Sequence, residues 1–207
     1  MKLFLYSLAI SAEQATYLTK LVGKDPEDIS FALIENAADV VPNSRDWLGG
    51  FRDMLQYNGY RLERVDLRNW RGKQKALHQK LASKDVIWVG GGHTYYLRWI
   101  LKDTGADNSI RELVSNGKVY AGWSAGALVA GPTLRYFETM DNPDGLPEVI
   151  TDGLHLTHVV PVPHLDNRDF AEDTKLANQQ LEQAGYNTVL LGDTQALMID
   201  GDAHTIL

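Results

Sequence analysis

The serine in Gly122-Trp123-Ser124-Ala125-Gly126 is the residue whose neighbours best equip it for chemistry. An apolar run, Val119-Tyr120-Ala121, enters this G-x-S-x-G stretch, and a small-residue run, Ala127-Leu128-Val129-Ala130, leaves it. That is the strand, tight turn and helix context of a nucleophile elbow, which exposes a serine oxygen on a sharp turn. Glycine flanks keep side chains from striking the neighbouring strand or helix, and the N–H groups opening the helix point at the same place. Serine alone is a weak nucleophile and needs a base. The chain has six histidines. His78 falls on a polar helix and His204 near the last residue, so both read as solvent-facing. His155 and His158 belong to the apolar run Gly153 to Val162, read as a strand whose alternation puts them on opposite faces. His164 follows Pro161-Val162-Pro163 just after that strand, where a loop would reach the active edge of a sheet, and is the base this reading selects. The acid that orients the base is sought between Ser124 and His164, among Glu138, Asp141, Asp144, Glu148 and Asp152, and spacing alone does not separate them.

A second stretch, Gly90-Gly91-Gly92-His93-Thr94, follows the apolar run Val86-Ile87-Trp88-Val89. Glycines there let the backbone approach a ligand closely. The dinucleotide pattern G-x-G-x-x-G is absent because position 95 is Tyr95, and the lysine of a P-loop is absent too. An oxyanion hole needs one N–H from the residue after the nucleophile and one from a nearby loop; Ala125 and Gly92 are the candidates. The H-E-x-x-H spacing of a zinc hydrolase does not occur, and this chemistry calls for no metal and no cofactor.

These residues need a frame to hold them. Strand-like runs at Leu3–Leu8, Ile29–Ile34, Tyr60–Leu67, Asp85–Val89 and Val119–Ala121 alternate with helix-like segments from Ala12, Ser44, Lys73, Thr94 and Ile110. A polar-faced helix over Phe170–Ala184 and a closing pair of strands, Thr188–Leu191 and Ala196–Ile199, complete the pattern. Gly131–Pro147 reads as a loop. The alternation predicts a single α/β domain over residues 1–207, with a mainly parallel sheet and helices on both faces. Sites in such sheets gather at the carboxyl ends of the strands, where both glycine-rich turns fall. With 207 residues and 44% hydrophobic content the chain can bury a sizeable core. A net charge of −7 argues against nucleic acid as a partner. The lack of cysteine fits the cytoplasm, and no run is long enough for a membrane span or a signal peptide.

Taken together, Val89-Gly90-Gly91-Gly92-His93-Thr94, Tyr120-Ala121-Gly122-Trp123-Ser124-Ala125-Gly126-Ala127 and Val160-Pro161-Val162-Pro163-His164 resemble, in order and spacing, the peptidase E family of serine peptidases. That family includes the α-aspartyl dipeptidases and the cyanophycinases. The resemblance runs from the first strand to the end of the chain. It implies a three-layer fold like that of the class I glutamine amidotransferases and a Ser–His–acid triad in that chain order. It implies Ser124 as nucleophile, His164 as base, and Gly92 with Ala125 as the oxyanion hole. For the acid it points to Asp141, because Asp141-Asn142-Pro143 matches the family's Asp-x-Pro stretch once two residues are inserted, with Glu138 as runner-up. The implied substrate is a short peptide, and a homodimer is compatible with the reading. Two departures concern substrate binding. The family has Asn or Asp after the three glycines where this chain has His93, and its Thr-Arg-Glu stretch beyond the histidine is missing, Arg168 being the nearest arginine. His93 and Arg168 are therefore the candidate substrate contacts, and a preference for an acidic first residue is not implied. An esterase or amidase using the same residues, and a non-catalytic binding protein on the same fold, are the alternatives.

Overall fold

The computed structural model describes residues 1–207. Nine strands and seven α-helices alternate through most of the chain: β1 (Lys2–Tyr6), α1 (Ala12–Val22), β2 (Ser30–Ile34), α2 (Ser44–Tyr57), β3 (Arg61–Arg64), α3 (Gln74–Ala82), β4 (Val86–Val89), α4 (Thr94–Thr104), α5 (Ala106–Ser115), β5 (Val119–Trp123), α6 (Ala125–Leu128), β6 (Val160–Val162), α7 (Ala171–Gln183), β7 (Thr188–Leu190), β8 (Ala196–Asp200) and β9 (Ala203–Ile206). The main sheet has the order β3-β2-β4-β5-β1-β8-β9. Its first five strands run parallel, and β8 and β9 are added antiparallel to their neighbours. No helix is long and apolar enough to cross a membrane.

The apolar strand runs are explained by burial on both faces, as parallel sheets require. Along β1, Leu3 and Leu5 enter the larger core cluster, whereas Phe4 and Tyr6 enter the smaller one. The same alternation in β2 and β4 splits Ala32, Ile34, Ile87 and Val89 from Phe31, Leu33, Val86 and Trp88. Helices α3 to α7 contribute to the first cluster and α1 and α2 to the second, giving three layers. Helix α1 begins where Ser11 caps it: Ser11 Oγ accepts from the Gln14 N–H at 3.1 Å, and Gln14 Oε1 accepts from the Ser11 N–H at 2.8 Å.

Several sequence expectations are corrected by tertiary pairing. The run Gly153–Val162 is a strand only over Val160–Val162. Before it the chain forms irregular bonds such as Leu154 N–H to the Val129 carbonyl, 2.7 Å, and Leu156 N–H to Ala130, 2.9 Å. His155 and His158 consequently do not alternate across a strand, and both are exposed. The closing strands do not pair with each other. β7 joins β6 in a separate parallel two-stranded sheet, whereas β8 joins the main sheet beside β1. The expected strand Tyr60–Leu67 ends at Arg64, and residues 67–70 form a 3-10 turn, as do 36–40. Ser44 does not cap α2; its hydroxyl donates to the Ala38 carbonyl at 3.0 Å, and Asn43, in the left-handed region, precedes the helix.

Candidate active site

The first five strands of the main sheet deliver the site to one edge. β5 ends at Trp123, and Ser124 follows at φ 49 and ψ −110, a conformation a non-glycine residue holds only where its surroundings over-determine it. Those surroundings are visible. The Ser124 N–H donates to the Tyr6 carbonyl at 3.0 Å, and the Ser124 carbonyl accepts from Ala127 and Leu128 at 2.8 and 2.9 Å. The buried Tyr120 hydroxyl donates to the Gly126 carbonyl at 2.6 Å, and burial pushes its phenol up so that the proton stays. The two flanking glycines are steric necessities: a Cβ on Gly122 would lie 2.4 Å from the Gly126 oxygen, and one on Gly126 would lie 2.0 Å from the Val89 oxygen.

Ser124 Oγ lies 2.9 Å from Nε2 of His164, and the Nδ1 of His164 lies 2.9 Å from Oδ1 of Asp193. His164 is buried, at 4% exposure, and itself has φ 70. Its N–H donates to the hydroxyl of Ser7, a fully buried residue just past β1, at 2.8 Å. Asp193 is held on all sides: Asn167 Nδ2 donates to its Oδ2 at 2.6 Å, its own N–H donates to Asp166 Oδ1 at 2.6 Å, and its carbonyl accepts from Leu8 and Ala9 at 3.1 and 3.0 Å. An alcohol, an imidazole and a carboxylate in this order are equipped for nucleophilic acyl transfer: the imidazole takes the alcohol proton and the carboxylate fixes the tautomer and stabilises the imidazolium.

The reason Asp193 stands there is the small sheet. β6 and β7 are parallel, with Val162 opposite Leu190, so the turns leaving them are neighbours. One turn carries His164 and the other Asp193, and the pairing continues as Leu191 N–H to the Val162 carbonyl, 2.9 Å, and Leu165 N–H to Leu191, 3.0 Å.

This geometry corrects the expected acid. Asp141 does not meet His164; its Oδ2 accepts from the Thr94 N–H at 2.9 Å, at the start of α4. Glu138 is exposed and lies near Tyr95, whose phenol is pushed up by burial first and then by the Glu138 and Asp141 carboxylates. Both belong to a loop that packs on α4, across the cleft from His164. The two expected substrate contacts also fall elsewhere. The Nδ1 of His93 accepts from the Tyr96 N–H at 3.3 Å and its Nε2 meets the Asn142 carbonyl at 3.0 Å, so the ring caps α4 and ties down the Asp141 loop. Arg168 is exposed and does not line the cleft that contains Ser124. Ser7, Asn167 and Asp193 were not singled out from sequence. Asp193, in Gly192-Asp193-Thr194 directly after a strand, had the same signal that marked His164, a polar residue in a turn at a strand's carboxyl end.

Gly92 and Ala125 flank the nucleophile. Neither N–H donates to an acceptor within the chain. Gly92 has φ 133, and a Cβ there would lie 2.4 Å from the carbonyl carbon and oxygen of Ala37. The His93 N–H bonds that same carbonyl at 2.8 Å, which sets the course of the glycine turn. Gly91 is tightly placed as well, since a Cβ would come within 3.2 Å of Ser124 Cβ. The cleft in front of Ser124 has a volume of about 460 Å³. Its walls are largely apolar, formed by Trp47, Trp123, Leu128, Met140 and Phe170 among others, with Asp141 as its one carboxylate and no lysine or arginine.

With this geometry in view, the relatives of the chain can be placed. The sequence profile of peptidase family S51 matches residues 11–207. An uncharacterized peptidase of Listeria monocytogenes is 40% identical over 97 residues, 46% of this chain and 47% of that protein. A Nostoc protein named peptidase E is 32% identical over 116 residues, 56% of this chain and 44% of that protein. The chain spans about half the length of the curated relatives it matches. A crystal structure from Listeria monocytogenes, named as a candidate peptidase E, superposes with a TM-score of 0.85 at 26% identity, over 100% of this chain and 97% of the other. Sequence profile, curated relatives and superposed structure agree, and the chain belongs to peptidase family S51.

Proposed function

We propose that the protein is a serine peptidase that hydrolyses short peptides, with Ser124 as nucleophile, His164 as general base and acid, and Asp193 as the orienting carboxylate. The observation that carries this reading is the continuous pair of contacts Ser124 Oγ to His164 Nε2 and His164 Nδ1 to Asp193 Oδ1, each 2.9 Å. Ser124 attacks the scissile carbonyl as its proton passes to Nε2. The oxyanion that forms is received by the Gly92 and Ala125 N–H groups, which have no other acceptor. His164 returns the proton to the leaving amine. Water then attacks the acyl-enzyme by the same route in reverse. The cleft volume of about 460 Å³ suits a substrate of a few residues. Its apolar walls and lack of a cationic side chain favour a large apolar side chain over an acidic one beside the scissile bond.

The test is a fluorophosphonate probe followed by a dipeptide and acyl-ester panel read by mass spectrometry, on the intact protein and on Ser124→Ala. The expected result is labelling at Ser124, and cleavage of peptides that falls by about 10³-fold or more in the variant. Ester cleavage without peptide cleavage would make the protein an esterase, and a protein that neither labels nor cleaves would be a binding protein on this fold.

A further inference from the structure

A second cavity of about 500 Å³ lies at the carboxyl ends of β2 and β3. It shares a wall with the Ser124 cleft: Val41 and Trp47 face the cleft, whereas Asn36, Ala38, Asp39, Ser44, Arg45 and Leu48 from the same stretch face the second cavity. Four arginines line it, an unusual density in a chain with a net charge of −7.

The arrangement is built around Glu35, which is 7% exposed. Its Oε1 accepts from Arg52 Nε at 2.9 Å and its Oε2 from Arg64 Nε at 2.8 Å. Both carboxylate oxygens are thereby occupied, and each arginine spends only its Nε. Their terminal Nη nitrogens donate to no acceptor, and Arg45, on the same wall, pairs with no carboxylate. One buried carboxylate therefore organises two guanidinium groups, with Arg45 unpaired beside them, and the cavity's four arginines outnumber its three carboxylates, Glu35, Asp39 and Asp66, by one positive charge. The other two acids are held away from the three free guanidinium ends. Asp39 and Asp66 are bound to Asn36 Nδ2, at 2.8 and 3.0 Å, and to Arg68, at 3.5 and 2.7 Å. Arg68 is the largest cause holding the Asp66 carboxyl down at about 2, so that pair is already satisfied.

A purely structural ion-pair cluster would match charges and point its donors inward. This one leaves donors open on a concavity of the size that holds small molecules. Planar guanidinium forks of this kind fit carboxylate and phosphate oxygens, often two at a time. We propose that the cavity is a binding site for a small oxyanion, a dicarboxylate or a phosphate, held by Arg45 and the free ends of Arg52 and Arg64. The site is independent of the hydrolytic reading and of its residues.

The test is calorimetric titration of the full chain with inorganic phosphate and, separately, with succinate, beside sodium chloride at matched ionic strength. A thermal melt supports it, since a ligand of the folded state raises Tm with concentration. Saturable binding of either anion is expected, and the tighter one identifies the source. Arg45→Ala removes an exposed, unpaired side chain and so leaves the fold alone; it is expected to weaken binding about tenfold, and Arg45→Glu to abolish it. Ser124→Ala is expected to bind as the parent does. The proposal is overturned if neither anion saturates, if chloride reproduces the effect, if both Arg45 variants bind normally, or if Ser124→Ala loses the binding.

Discussion

Replacing Asp193 by asparagine separates the proposed acid, which meets His164, from the one expected from sequence. The carboxylate accepts on both sides, from His164 Nδ1 at 2.9 Å and from Asn167 Nδ2 at 2.6 Å. An amide has one accepting end. If its oxygen faces His164, its NH2 meets the Asn167 donor. If its NH2 faces His164, the imidazole must turn to the tautomer that is protonated on Nε2, which can no longer take the Ser124 proton. The charge is lost as well. A carboxylate about 4 Å from the imidazolium contributes roughly 4 kcal/mol at an effective dielectric of 20, or about a thousandfold in rate. Charge and tautomer together predict a fall in kcat of about 10³- to 10⁴-fold, with KM little changed. Asp141→Asn keeps an acceptor for the Thr94 N–H and leaves His164 alone, so its kcat is expected to fall by less than about tenfold. Steady-state kinetics on the best peptide of the panel, with the rate of fluorophosphonate labelling and circular dichroism as a fold check, decides between them. A folded Asp193→Asn that keeps more than about a tenth of kcat, or an Asp141→Asn that loses more than it does, would refute the assignment.

Arg168→Ala is expected to leave kcat and KM within about twofold, because the side chain is exposed and outside the cleft; a large rise in KM would restore it as a substrate contact. Gly126→Ala places a methyl 2.0 Å from the Val89 oxygen and is expected to cost about 3 kcal/mol or more in urea denaturation. Gly49→Ala, in the middle of α2 with nothing within 4 Å of the new methyl, is expected to stabilise by about 0.5–1 kcal/mol. Burial pushes the Asp85 carboxyl up, but hydrogen bonds from Lys24 and from the Ser30 N–H and hydroxyl outweigh it and hold it at about 2. Its folded value thus lies below its unfolded one, so its contribution is complete above about pH 4 and is lost as pH falls toward 2. Asp85→Asn should lower stability at neutral pH and flatten the acid limb of the stability curve between those values; an acid limb as steep as the parent's would exclude Asp85 as a source of it. Asp66 retains its own contribution over the same range in the variant.

Much of the fold was legible because its signals are local. Runs such as Leu3-Phe4-Leu5-Tyr6 and Val86-Ile87-Trp88-Val89 are apolar throughout because both faces of a parallel sheet are covered, and Ser11 marks the start of α1 as its cap. The last third of the chain carries weaker local signals. Gly153–Val162 is largely apolar because Leu154, Leu156, Val159, Val160 and Val162 are buried in the larger core, and burial without pairing leaves the same composition as a strand. The runs around β7 and β8 look alike as sequence, yet one pairs with β6 and the other inserts beside β1. Strand partners separated by tens of residues leave no mark in the composition of either run.

The same division applies to the site. By itself the sequence determined the turn that carries Ser124, because Gly122 and Gly126 are demanded by contacts within a few residues or with the adjacent strand, and it marked His164 as the histidine at a strand's end. Those two side chains lie 2.9 Å apart. The expected acids, Asp141 and Glu138, lie between them in the chain, although the order Ser–His–acid itself points beyond His164. What sets Asp193 against the imidazole is the parallel pairing of β6 with β7, together with Asp166 and Asn167, which fix its backbone and second oxygen. A carboxylate in a turn looks like any other solvated carboxylate until the chain that faces it is known. Only the tertiary structure supplies that neighbour, because the distance that matters, from His164 Nδ1 to a residue 29 positions later, is set by packing and not by chain connectivity.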